Sequence, residues 1–196
     1  MRFRTQRRSL RLPGYDYSQK GAYFLTICVK GRASLFGDIV NGKMDLNENG
    51  NLVIKTWSML PVHYVHVGLD AFVVMPNHVH GILLIVEAGV QPVGAGLKPA
   101  PTKPLSEVVR AFKTFSSRSI NLGRGAPGQP VWQRGYYEHV IRNEESLNRI
   151  RDYIATNPMR WDLDRENPQA RGRDDFDRWL GTFSSRRQTS VELDCG

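Results

Sequence analysis

The run His78-Val79-His80-Gly81-Ile82-Leu83-Leu84-Ile85-Val86 constrains the fold of this chain more than any other stretch. Pro76, just ahead of it, breaks any helix that would lead into it. A short run this rich in Val, Ile and Leu reads as a strand. It is too apolar for a strand with one wet face, so beyond its first residues it must be central and covered on both sides. Leu69 to Met75 reads as the strand before it, with Met75-Pro76-Asn77 as the break between them. The most apolar part, Ile82 to Val86, is far too short to cross a bilayer.

The rest of the chain supplies partners for such a strand. Tyr23 to Lys30 is apolar, β-rich and bounded by Gly21 and Gly31, which marks a further buried strand. Gly37 to Val40 and Lys43 to Leu46 flank Asn41-Gly42, the pattern of a tight hairpin. Asn47 to roughly Tyr64 reads as a helix, capped by Asn47, with Leu52, Val53, Trp57 and Leu60 at helical spacing. Leu105 to Ile120 is a second helix, with Ser106 as its cap and Val108, Val109, Phe112 and Phe115 on one face. Trp132 to Arg142 has strand-like stretches bent at Gly135. Asn143 caps a third helix, with Glu144 and Glu145 where the helix dipole favours acids. Asn157-Pro158 ends that helix, because the residue before proline disfavours helical geometry. The order β-β-β-α-β-β-α-β-α predicts an α+β fold, an antiparallel sheet with helices packed on one face.

A chain of 196 residues is long enough for one domain with a sizeable core and tight for two. The expected organisation is a basic arm over 1–20, a main domain over 21–161 and a charged tail over 162–196. Residues 88–104, dominated by Gly, Ala and Pro, read as a flexible loop within the domain. Lys and Arg number 27 against 19 Asp and Glu, a net charge of +8. Such a surface attracts polyanions, of which nucleic acid is the commonest in a cell. Two unpatterned cysteines, Cys28 and Cys195, fit a reducing compartment, and the arginine-bearing N-terminus has no apolar segment of a secretory signal. These features point to a soluble cytoplasmic protein with no membrane partner.

Two patterns carry chemistry. In a strand, His78 and His80 project to one face while Val79 enters the core on the other. Two imidazoles about 6–7 Å apart at Cα can hold one metal ion, although a bare His-x-His is more often two polar residues on a wet strand face. Tyr153 and Asn157, four apart on the third helix, share a face. Tyrosine offers a phenolate nucleophile once activated, and asparagine a carbonyl oxygen for a hard cation. Read plainly, they are a core-edge tyrosine and a helix-ending asparagine.

Together these segments resemble the HUH single-tyrosine transposases, specifically the REP-associated tyrosine transposases. The resemblance covers roughly residues 7–161. It is carried by RRSLRLPGYDYSQKGAYFLTI, AFVVMPNHVHGILLIV and WQRGYYEHVIRNEESLNRIRDYIATNPMRW. The histidines precede the tyrosine, whereas the related conjugative relaxases usually place the tyrosine first. The resemblance implies the HUH endonuclease fold, a ferredoxin-like antiparallel sheet with helices mainly on one face. It implies His78, His80 and Asn157 as ligands of Mg²⁺ or Mn²⁺, Tyr153 as nucleophile and His139 in support. Ligand chemistry alone would also admit Zn²⁺. Tyr137 is the nearest rival to Tyr153, ahead of Tyr15, Tyr17, Tyr23, Tyr64 and Tyr136. His63 and His66 match nothing and read as surface residues.

The activity implied is cleavage and rejoining of single-stranded hairpin DNA from palindromic repeats, through a 5′-phosphotyrosine. For the DNA itself, Arg4, Arg7, Arg8, Arg11, Arg110, Lys113 and Arg118 are candidate phosphate contacts, with Arg134 beside them. Trp132, Tyr136 and Tyr137 are candidate stacking platforms for unpaired bases. Such a protein would sit in the bacterial cytoplasm, with the nucleoid when bound to DNA. Simple insertion-sequence relatives work as dimers and REP-associated members act alone, so dimer and monomer both stay open. Two other readings remain: a catalytically silent hairpin-binding protein or repressor with the same fold, and a His-x-His metallohydrolase of small molecules. The latter would want further ligands and leaves the basic charge unexplained.

Overall fold

A computed structural model describes residues 19–86 and 103–189, with the side chains of the last helix through Phe183. Arg4, Arg7, Arg8, Arg11 and nearly all of the 88–104 loop lie outside the described residues.

Strand β1 (Gly21–Cys28) is followed by the hairpin β2 (Gly37–Val40) and β3 (Lys43–Leu46). Asn41 and Gly42 both take positive φ, 51° and 71°, as a two-residue turn matched to strand twist requires. Helix α1 (Glu48–Ser58) starts where the Asn47 side chain accepts from the Gly50 N–H, and the helical turn α2 (Leu60–His63) follows it. Then come β4 (Val67–Met75), β5 (His78–Ile85), α3 (Leu105–Gly123), β6 (Tyr137–Ile141), α4 (Glu144–Thr156) and α5 (Asp175–Thr189). The cap before α3 is Pro104 with no side-chain bond, so Ser106 does not serve as expected. Asn143 does cap α4, accepting from the Ser146 N–H.

The main sheet runs β4-β5-β1-β6, and each neighbouring pair is antiparallel. With α1 between β1 and β4 and α3 between β5 and β6, this is the ferredoxin-like β-α-β-β-α-β arrangement. Both central strands are sealed. Tyr23, Leu25 and Ile27 of β1 and Val79, Leu83 and Ile85 of β5 pack on one face against Val53 and Trp57 of α1 and Val108, Val109 and Phe112 of α3. Phe24 and Ile82 face the other way, against Ile150, Tyr153 and Ile154 of α4 and Phe176 and Leu180 of α5. Each such fully buried side chain contributes roughly 1.5–3 kcal/mol.

The helices therefore lie on both faces, not mainly on one. The reason is the apolar run itself: Ile82 and Leu83 point to opposite sides, and both need cover. α5 arises in the stretch after Trp161 that reads as a charged tail. Phe176, Trp179, Leu180 and Phe183 recur at helical spacing there, and Asp174 caps the helix by accepting from the Phe176 N–H at 2.7 Å. Among the described residues no helix is long and apolar enough to cross a membrane.

Candidate active site

His78 and His80 open β5 on the face covered by α4 and α5, with Val79 in the opposite core. Both are buried, as is Asn77 before them. Asn77 Nδ2 donates to the backbone oxygens of Arg32 (3.2 Å) and Glu166 (2.8 Å). Its Oδ1 is thereby turned to His78 Nδ1, 2.8 Å away. An amide oxygen only accepts, so His78 carries its proton on Nδ1 and keeps the Nε2 lone pair free. His80 Nδ1 lies 2.9 Å from Thr26 Oγ1, directly across on β1. The two Nε2 atoms converge to 2.9 Å.

Three more side chains meet them. Tyr153 Oη is 3.2 Å from His80 Nε2 and 3.4 Å from Asp164 Oδ2. Asp164 Oδ1 accepts from the Glu166 N–H at 2.6 Å, which aims Oδ2 at His78 (3.6 Å) and His80 (3.7 Å). Asn157 Nδ2 donates to the same Oδ2 at 2.8 Å. Asn157 Oδ1 is buried with no hydrogen-bond partner among the described residues. The α-helix ends at Thr156, as Asn157-Pro158 predicts, but Asn157 keeps helical φ and ψ (−55°, −41°) and the chain tightens into a 3-10 turn over Asn157–Leu163. That turn delivers Asp164.

The donor set fits a cation. His78, His80 and Asp164 offer ligand atoms within 4.8 Å of one another and could hold a metal ion. Burial, with His80 adding to it, pushes His78 down to about 3, so it stays neutral, the form in which an imidazole can bind a metal. Burial alone would raise the Asp164 carboxyl, but its contacts with His80, His78 and Asn157 outweigh that and hold it below the usual carboxylate range. Two converging imidazole nitrogens, a carboxylate and an orphaned amide oxygen make a donor set that suits a cation among them.

The cluster is roofed. Phe176 stacks on Tyr153, Phe24 meets the same ring edge-on and Trp161 stacks on His78. Tyr153 is only 3% exposed. Burial pushes its phenol well above the ordinary value, and the Asp164 carboxylate adds to the shift. The roof is tied down by Arg32–Glu166 (2.7 Å) and Arg160–Asp174 (2.7 Å).

Thus His78, His80, Tyr153 and Asn157 do come together, and Asp164, Asn77, Thr26 and Phe176 join them unannounced. His139 shares the site's sheet face but packs against Trp179 and Phe183. Tyr137, opposite Thr26, lies under the Arg165 guanidinium. Trp132 is no stacking platform: it is buried between Phe36 and Phe112, and its Nε1 donates to Ser116 Oγ. Lys113 is spent on the backbone oxygens of Gln133 (2.6 Å) and Gly135 (3.0 Å). Arg110, Arg118 and Arg134 are exposed. His66, read as a surface residue, is buried and bonds the backbone of Lys103.

No protein-family profile matches the chain. It is 40% identical over 167 residues to an uncharacterized protein of Haemophilus influenzae, covering 81% of this chain and 92% of that protein. It is 27% identical over 148 residues to a protein of the same organism named "Putative REP-associated tyrosine transposase", covering 74% of each. Among solved structures, a REP-associated tyrosine transposase bound to a REP hairpin shares the fold, with a TM-score of 0.51, 20% identity, and coverage of 77% of this chain and 72% of that one. The chain therefore belongs to one family with the 40% identical Haemophilus protein, and it is similar in sequence to the one named as a REP-associated tyrosine transposase and in fold to the hairpin-bound one.

Proposed function

We propose that this protein is a metal-dependent single-stranded DNA endonuclease and strand transferase that acts on hairpin DNA through a 5′-phosphotyrosine on Tyr153. The observation that carries this reading is the phenol of Tyr153 within 3.2 Å of the histidine that shares its Nε2 contact with His78. His78, His80 and Asp164 would hold Mg²⁺ or Mn²⁺, with Asn157 orienting Asp164 through Nδ2 and offering its unpartnered Oδ1 to the same ion. A bound divalent cation supplies charge that polarises the scissile phosphate and lowers the tyrosine's pKa.

The chain's own groups do the rest. Tyr153 Oη attacks phosphorus, the new O–P bond forms, and the P–O3′ bond breaks to leave a 3′-hydroxyl. Asp164 Oδ2 lies 3.4 Å from the phenol, and solvent takes the phenolic proton and returns one to the departing 3′-oxygen. A second 3′-hydroxyl reverses the step and reseals the strand, since the phosphotyrosine keeps the phosphodiester energy. Phe176 and the start of α5 must withdraw for a phosphate to reach Tyr153. Work on cytoplasmic, nucleoid-borne DNA suits the charge of +8.

One observation favours a second reading, a hairpin-binding protein that does not cut: the nucleophile is sealed under Phe176. The deciding experiment incubates the protein and Tyr153→Phe with labelled single-stranded hairpins from palindromic repeats flanking its gene, in Mn²⁺, on a denaturing gel. A protein–DNA adduct that the variant lacks supports the tyrosine mechanism. Binding with no adduct on any repeat moves the second reading ahead.

A further inference from the structure

A groove of about 670 Å³ lies between α3 and the segment 127–136, within the size range of small-ligand sites. It opens on the α3 side of the sheet, away from Tyr153, because α3 packs into the other core. Arg110, Thr114, Ser117 and Asn121 line it at helical spacing, so one stripe of α3 forms its wall. Arg110 and Arg118 are exposed at the groove, and among the described residues no acidic side chain lines it.

Asn121 supplies an independent sign of a ligand. It is 5% exposed, and its Nδ2 donates to the Gln129 backbone oxygen at 2.7 Å. That bond fixes the amide, yet Oδ1 is buried with no partner among the described residues. A buried acceptor in a groove wall is satisfied by a bound donor or by ordered water. The donor must belong to something that also suits two guanidinium groups and a half-buried tyrosine, Tyr136. An unpaired nucleotide combines these features: phosphate for arginine, a planar face for the phenol, and N–H groups on its open Watson–Crick edge.

The strand edge connects this groove to the site. β6 is an edge strand, and Tyr136 and Tyr137 stand where it begins. Tyr136 lines the groove and packs with the α3-side core, while Tyr137 packs with the core that holds Tyr153. A nucleic-acid strand leaving the groove would round the sheet edge at this pair.

We propose that the groove is a second nucleic-acid subsite, holding an unpaired nucleotide of the hairpin substrate with its base at Asn121 and Tyr136 and its phosphates at Arg110 and Arg118. The inference rests on the hairpin reading above for the identity of the ligand.

The test measures binding of fluorescent DNA hairpins with single-stranded flanks by anisotropy, using the full chain in EDTA so that no cleavage intervenes. Abasic substitutions are scanned through the loop and flanks. Arg110→Ala/Arg118→Ala, on exposed positions, should weaken binding about tenfold or more and reduce the salt slope by about two. Asn121→Ala should weaken binding to the intact hairpin, and one abasic position should weaken the wild type while adding nothing to Asn121→Ala. Equal binding by wild type and all variants overturns the subsite, leaving the hairpin reading intact. So does an Asn121→Ala loss that is the same on every abasic probe, which marks a structural role or a water site. Wild-type protein that binds no hairpin overturns both.

Discussion

Phe176 lies flat on Tyr153, with ring centroids 3.7 Å apart and planes within 8° of parallel. The contact joins α5 to α4 at the hydroxyl proposed above as the nucleophile. Phe176→Ala should open the roof. Stability should fall by about 3–5 kcal/mol, as for other buried phenylalanines. Adduct formation on a hairpin in Mn²⁺ should rise severalfold per folded molecule. A gel-based initial rate beside a urea titration checks both, and a drop in rate with the fold retained would make Phe176 a support for the tyrosine instead of its cover.

The metal site can be read without catalysis. A cation that binds the folded chain alone raises its melting temperature, by the equivalent of about 2.7 kcal/mol at a hundredfold excess over Kd. Mn²⁺ should stabilise the wild type in this way. Asp164→Asn keeps an acceptor for the Glu166 N–H but loses the charge, and should abolish the Mn²⁺ shift. Asn157→Ala should only reduce it. The reverse ranking would make Asn157, and not Asp164, the stronger of the two ligands.

Acidity pulls on the site in two directions. The unfolded chain takes a proton on His78 near pH 6.5 that the folded chain refuses until about 3. This contribution to stability is whole above pH 6.5 and is lost as pH falls through that window, by up to about 1.4 kcal/mol per unit. Asp177 opposes it. Burial raises that carboxyl to about 6, so its contribution is present at acid pH and is lost as pH rises from about 4 to 6. Asp177→Asn removes the opposing contribution. In EDTA, urea unfolding at pH 6.5 and 4.5 should show a larger acid loss in this variant than in the wild type. Equal losses would mean Asp177 is not held protonated by the fold.

Gly81 stands beside His80 but faces the other core. A Cβ there would come within 2.8 Å of both Phe72 and Trp57, whose rings stack at 4.5 Å. Gly81→Ala should therefore destabilise the fold by about 1–3 kcal/mol. Urea unfolding followed by tryptophan fluorescence measures it, and an unchanged midpoint would show that the aromatic pair can slide.

What the sequence made legible was local. Asn41-Gly42, Asn47 and Asn143 act on neighbours within three residues, so their turns and caps could be read directly. The His78/His80 pairing follows from strand period alone. Asp164 could not be read this way. Its place depends on Asn157 staying helical before a proline and on a 3-10 turn bringing the chain back under β5. Asn77 looked like a turn residue because its three partners come from distant segments or from the histidine next to it. α5 did leave a signal, Phe176, Trp179, Leu180 and Phe183, but the charges interleaved with it made the stretch resemble a solvated tail.

Tyr153 and the histidine it meets are 73 residues apart in the chain. A ribosome delivers His78 and His80 long before Tyr153, and Asp164 only after it, so a growing chain assembles this cluster in two instalments. Phe176 then follows Tyr153 within about 5 s at ordinary elongation rates. The interval in which a newly made molecule could present Tyr153 without its cover is therefore set by translation speed, and slow codons between the two positions would lengthen it.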